Sequence, residues 1–173
     1  DFIGSSAAIV EIYKTLSRAA PTDATVIVEG ETGTGKELVA RMIHRFSRRS
    51  TQVFVPVDCG AIAPTLLESE LFGAVRGAYT GADRDRVGVF EAANRGTVFL
   101  DEIGEIDLNF QLALLRFLQQ GEIRPVGSPR SKEVDVRVIA ATNRNLQKMV
   151  DEKKFREDLW YRLNTVRIVL PPL

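Results

Sequence analysis

The chain has almost no cysteine, no surplus of either charge and no long apolar run. Its one cysteine, Cys59, excludes an intrachain disulfide framework and points to a reducing, cytoplasmic compartment, with the ordinary role of a small buried side chain. Lys and Arg number 23 and Asp and Glu 23, so the formal net charge is zero and the domain carries no broad electrostatic footprint for nucleic acid. No segment approaches the ~20 apolar residues of a bilayer span, and the N-terminus lacks the basic-then-apolar layout of a secretory leader, so no membrane association is expected. Internal repeats and low-complexity tracts are also missing. What remains is 173 residues with 45% hydrophobic content, enough to bury the core of one domain spanning 1–173. The ends, Asp1-Phe2-Ile3-Gly4 without a methionine and Leu170-Pro171-Pro172-Leu173, suggest a segment of a longer protein.

The most informative stretch is Gly30-Glu31-Thr32-Gly33-Thr34-Gly35-Lys36-Glu37. It follows the β-branched run Thr25-Val26-Ile27-Val28 and precedes a helical pattern through Leu38, Val39, Ala40, Met42 and Ile43, which is the context of a phosphate-binding loop. Glycines at 30, 33 and 35 let backbone N–H groups close around phosphate oxygens, the helix N-terminus adds partial positive charge, and Lys36 supplies a point charge for the β- and γ-phosphates. A nucleoside triphosphate is the expected ligand. The general motif asks for Ser or Thr after the lysine, and Glu37 stands there instead.

Around this loop the pattern alternates. Ile9, Ile12, Tyr13 and Leu16 predict an amphipathic helix before the first strand. Phe54–Asp58 reads as a strand placed at an edge by Pro56, and a helix starting near Pro64 carries Leu66, Leu67 and Leu71 on one face. The stretch 73–88 is glycine-rich and charged and does not read as core; long irregular loops of this kind are usually functional. Thr97–Leu100 is a buried strand ending in Asp101-Glu102. A helix over 108–120 turns Leu112, Leu115, Phe117 and Leu118 inward and stops at Gly121; residues 122–134 have hairpin character around Gly127-Ser128-Pro129. A fourth strand over 136–140, short helices over 146–150 and 156–163 and a fifth strand over 166–170 complete an α/β fold, a mainly parallel five-stranded sheet with helices on both faces.

Ligands of such sheets sit at the carboxyl ends of the strands. Asp101 is therefore expected to hold Mg²⁺, directly or through water, and Glu102 to orient or deprotonate an attacking water. Asn143, ending the fourth strand, can reach the γ-phosphate or the water. Arg156 and Arg162 lie too far along to serve their own nucleotide; surface pairing is their ordinary explanation, and projection into a neighbour's site as arginine fingers demands an oligomer.

Taken together, Gly30–Glu37, Glu70-Leu71-Phe72-Gly73, Gly77-Ala78-Tyr79-Thr80-Gly81-Ala82, Phe99–Glu102, Ala141-Thr142-Asn143 and Phe155–Leu163 resemble the central AAA+ P-loop NTPase domain of the NtrC-like bacterial enhancer-binding proteins, activators of sigma-54 RNA polymerase. The resemblance covers essentially the whole chain, and Gly77–Ala82 is its most specific part. It implies ATP and Mg²⁺ as ligands, Ile3 and Gly4 as further nucleotide contacts, and a ring of like subunits, hexameric by analogy. It also implies two loop insertions: 77–82, which touches sigma-54, and the hairpin 122–134, which moves with it. The family's helical lid would begin beyond Leu173, and DNA binding would belong to a separate domain. Glu37 is usual in the family; Tyr79 replaces a customary Phe, Ala74 a frequent His, and Asp58 a customary Asn that restrains the catalytic glutamate. Asp58 is thus expected to weaken that restraint or make it pH-sensitive, since ionised carboxylates cannot donate to one another. A nucleotide-binding regulatory module without hydrolysis, and a different AAA+ remodelling machine, are the alternative readings.

Overall fold

The computed structural model describes residues 7–172. In chain order the elements are α1 (Ala7–Ala19), β1 (Val26–Glu29), α2 (Lys36–Arg45), β2 (Phe54–Asp58), α3 (Pro64–Phe72), α4 (Val89–Ala92), β3 (Thr97–Asp101), a 3-10 turn (Ile103–Glu105), α5 (Leu108–Gln120), β4 (Glu122–Ile123), β5 (Lys132–Glu133), β6 (Arg137–Thr142), α6 (Leu146–Asp151), α7 (Glu157–Leu163) and β7 (Val166–Val169). The main sheet has the order β2-β3-β6-β1-β7, and every pairing in it is parallel. β2 lies at one edge, where Pro56 costs no ladder hydrogen bond.

Both faces of the sheet are covered, so the central strands β1, β3 and β6 are buried almost throughout, while the edge strands β2 and β7 are partly exposed. Val26, Val28, Phe99, Ile139 and Ala141 face α1 and α2; Ile27, Val98, Leu100, Val138 and Ala140 face α3, α5 and α7. The expected boundaries are met within a residue or two. Two inward assignments fail: Leu66 is 46% exposed and Leu112 is 42% exposed. Adjacent Leu66 and Leu67 sit about 100° apart on a helix, and α3 buries the face defined by Leu67 and Leu71.

The ends of the 73–88 stretch are core, contrary to its composition. Gly73, Ala74 and Gly88 are buried, and a Cβ on Gly88 would lie 2.3 Å from the Gly73 nitrogen. Ala74 bridges Arg86 in antiparallel fashion and Val126 in parallel. This close backbone packing is what glycine permits, and composition reads it as looseness.

Candidate functional site

At the end of β1 the chain enters the glycine loop, tied to the neighbouring strand by the Gly30 N–H, which donates to the Thr142 carbonyl at 3.2 Å. Thr34 turns its hydroxyl back onto the Glu31 carbonyl at 2.7 Å. Space is tight here: a Cβ on Gly30 would lie 2.6 Å from the Thr34 hydroxyl oxygen. Gly33 and Gly35 take left-handed conformations, with φ of 83° and 92°, and Gly35 caps α2. Lys36 is buried, and its ammonium donates to the carbonyls of Gly30 at 3.0 Å and Glu31 at 3.2 Å. Glu37 points outward and accepts from Arg41 one turn on, at 3.2 Å, a favourable place for an acid in a first helical turn.

Lys36 also faces the end of β3, with its ammonium 3.8 Å from a Glu102 carboxylate oxygen. Asp101 accepts from the Glu102 N–H at 2.9 Å. Burial is the main cause pushing both carboxyls above the usual range, opposed in each case by Lys36. Glu102 sits in the left-handed region with φ 56° and ψ 51° and starts the 3-10 turn. For a non-glycine residue such a conformation must be held by its surroundings.

Asn143 lies across the mouth of the loop, and its amide donates to the Thr32 hydroxyl at 3.2 Å. Lys36, Asp101, Glu102, Asn143 and Thr32 are thus brought to one end of the sheet. Asp58 is opposite Asp101 in register but turns its carboxylate to the Gly60 N–H at 3.0 Å. Among the described residues no hydrogen bond links it to Glu102. Ile3 and Gly4 lie outside the described residues.

Beside the loop runs a cleft of about 540 Å³, lined among others by Gly30, Glu31, Asn143, Arg144 and Trp160. The Trp160 indole N–H donates to Gln147 at 3.1 Å. Arg156 and Arg162 are elsewhere. They line a separate cleft with Gln119 and Tyr161, where Arg156 is engaged by Asp158 at 2.9 Å.

Left-handed glycines with open space above Gly33, a buried ammonium and two carboxylates fit a triphosphate with Mg²⁺. Among the described residues no three His, Cys, Asp or Glu side chains cluster as a metal cage. Mg²⁺ needs no such cage, because it is ordinarily held by one or two carboxylates together with phosphate oxygens.

The segment Gly77–Ala82 forms an exposed crest. Gly77 donates to the Ala82 carbonyl at 2.8 Å and Ala82 to the Tyr79 carbonyl at 3.0 Å, so the crest is a closed turn. Tyr79 is 38% exposed. The β4–β5 hairpin supports it from the side: Val75 donates to Val126 at 3.0 Å, and a Cβ on Gly127 would come within 2.6 Å of the Ala78 side chain.

Sequence reasoning passed over Arg144 and Glu105, which pair at 2.5 Å beside Asn143. The available signal was the position of each just after a strand's carboxyl end. His44, left without a role, is buried between the Thr97 hydroxyl at 2.8 Å and the Gln52 carbonyl at 2.9 Å. A carbonyl only accepts, so Nε2 carries the proton. Cys59 is buried, and its thiol is pushed up to about 12, first by burial and then by neighbouring carboxylates.

No helix among the described residues is long and apolar enough to cross a membrane. Residues 2–169 match the sigma-54 interaction domain family. The chain is 53% identical over 169 residues to the regulatory protein AtoC of Escherichia coli and 51% identical over 172 residues to the regulatory protein LuxO of Vibrio vulnificus. These matches cover 98% and 99% of this chain and 37% and 38% of the relatives, so the chain spans under two fifths of their length. The crystal structure of NtrX from Brucella abortus in complex with ATP is similar at a TM-score of 0.90 and 37% identity, over 99% of this chain and 37% of that one. The P-loop NTPase domain of a sigma-54 transport activator from Escherichia coli shares the fold at a TM-score of 0.66 and 24% identity, over 99% of both chains.

Proposed function

The chain belongs to the sigma-54 interaction domain family, an AAA+ P-loop NTPase fold, and from that premise we propose that it hydrolyses ATP to remodel a sigma-54 RNA polymerase complex from the closed to the open promoter state. The observation that carries the hydrolytic half is the Glu102 carboxylate, set 3.8 Å from the buried Lys36 ammonium at the strand end that also carries Asp101. Gly30, Glu31, Thr32, Gly33, Thr34, Gly35 and Glu37 form the phosphate cradle, and Lys36 meets the β- and γ-phosphates. Asp101 would hold Mg²⁺, which would supply charge to offset that developing on the phosphoryl oxygens. Glu102 orients the attacking water and takes its proton, and Asn143 reads the γ-phosphate.

Arg156 and Arg162 are outside this constellation, which supports a role toward a neighbouring subunit in a homo-oligomeric ring. A finger supplied in this way is worth roughly 10³ to 10⁵ in rate. The crest Gly77, Ala78, Tyr79, Thr80, Gly81 and Ala82 presents the sigma-54 contact. Work is needed at that contact: unstacking about ten base pairs at ~1.4 kcal/mol each costs on the order of 14 kcal/mol.

Phosphate release measured against protein concentration tests the reading. Specific activity should rise with assembly, and Glu102→Gln should abolish turnover while ATP still binds. Turnover unchanged in Glu102→Gln would refute the assignment; no turnover by the assembled parent would favour a nucleotide-binding regulatory module.

A further inference from the structure

We infer that Arg144 is a positioning residue for the hydrolytic step, fixing the turn from which Glu102 projects. The inference rests on the ATPase reading above and deepens it. Two consecutive residues at the end of β6 reach in different directions. Asn143 crosses to Thr32 on the phosphate loop. Arg144, its own N–H held by the Thr142 hydroxyl at 3.0 Å, pairs with Glu105.

Glu105 closes the 3-10 turn that Glu102 opens, its N–H donating to the Glu102 carbonyl at 3.0 Å. The stem of Arg144 packs against the middle of that turn. A Cβ on Gly104 would stand 3.0 Å from Arg144 Cδ, 3.5 Å from the Met149 sulfur and 3.5 Å from the Thr142 hydroxyl. The Gly60 loop also runs beside the turn: a Cβ on Gly60 would lie 3.5 Å from Glu105 Cγ and 3.8 Å from Glu102 Cβ. The turn is therefore braced by Arg144 through Glu105 and Gly104, and Glu102 needs such a brace because its backbone is left-handed.

An ordinary surface ion pair is the competing explanation. Both partners are partly exposed, with side chains 47% and 38% accessible, and pairs of that kind add little to stability. Their loss should leave the protein folded, so a selective fall in turnover would have to come from geometry. A displacement of about 1 Å at a reacting group costs on the order of a hundredfold in rate.

The test uses the assembled full-length protein and steady-state ATP hydrolysis by Arg144→Ala, Arg144→Lys, Glu105→Gln and the Arg144→Ala/Glu105→Gln double variant, with Glu102→Gln as reference. Arg144→Ala and Glu105→Gln should each lower kcat about tenfold or more with KM within about twofold of the parent. Arg144→Lys should recover most of the loss, and the double variant should be no worse than either single one. An unchanged kcat in Arg144→Ala overturns the inference. So does a KM increase without a kcat change, which makes Arg144 a ligand contact, a double variant showing the product of the single losses, or a fall in melting temperature that tracks the activity. Failure of the ATPase reading itself looks different: Glu102→Gln would then turn over ATP as the parent does.

Discussion

The molecule carries two glycine-rich loops that use the same residue for opposite purposes. In the phosphate loop the base is held by fixed contacts, with Gly30 against Thr34 and Leu170 and the Lys36 ammonium on two carbonyls, and Gly33 opens onto free space. In the second loop the close backbone packing is at the root, and the crest is held by its own turn hydrogen bonds and by the hairpin at Ala78. Gly73 and Gly88 are jammed backbone to backbone, whereas Gly77 and Gly81, at φ 82° and 92°, have nothing within 4 Å of where a Cβ would be. One loop is built around a ligand-sized opening at Gly33, and the other is an anchored stalk whose crest projects with Gly77 and Gly81 facing open space. Glycine content alone does not distinguish them; the depth of the surrounding backbone does.

The largest test of this contrast is Lys36→Ala, which removes the buried charge of the first loop. It should cost about 2–5 kcal/mol of nucleotide affinity by calorimetric titration, as truncation of a buried charged partner does. Binding unchanged in that variant would make the first loop no more than a turn. Thr80→Ala, on the crest, should abolish promoter opening in a sigma-54 transcription assay yet leave ATP turnover within about twofold, because an exposed side chain with no packing role is nearly neutral to the fold. Coupled loss of both activities would erase the distinction between holder and stalk.

Within the second loop, Gly88→Ala should cost about 1–3 kcal/mol of unfolding free energy through overpacking. Gly81→Ala, strained in φ but unobstructed, should cost about 1 kcal/mol. Equal costs by denaturant titration would show that root and crest are not built differently.

The smallest effect concerns the side of the sheet that carries the first loop. Burial lowers the His44 pKa below its usual 6.5. The folded state then binds that proton less readily than the unfolded one, so the contribution of His44 to stability is complete above pH 6.5 and declines as pH falls through the interval below it. Unfolding midpoints of the parent should drop more between about pH 7 and pH 5 than those of His44→Gln, where the group is gone. Parallel curves would leave His44 without a pH role.

What could be read from the chain was whatever lies in contiguous residues. The phosphate loop announces itself because strand, glycines, lysine and helix follow one another, and Pro56 marks an edge strand because it lacks a donor. The order of strands was not readable: β6 inserts between β3 and β1, and no local signal tells a strand who its neighbours are. The brace on Glu102 escaped for the same reason, since Gly60, Gly104, Glu105 and Arg144 come together only across the sheet end. Leu112 misled in another way, because helical spacing shows which residues share a face but not where that face stops. Asp58, expected to act on Glu102, instead stands opposite Asp101 in register, and its hydrogen bond to Gly60 supplies a concrete alternative to contact with Glu102.

The only tryptophan in the chain stands at the wall of the cleft beside the phosphate loop, with its ring nitrogen tied to Gln147. The protein consequently carries a built-in fluorophore at the spot where filling of that cleft would change local polarity. Emission from this indole offers a label-free optical record of occupancy, with no second tryptophan in this chain.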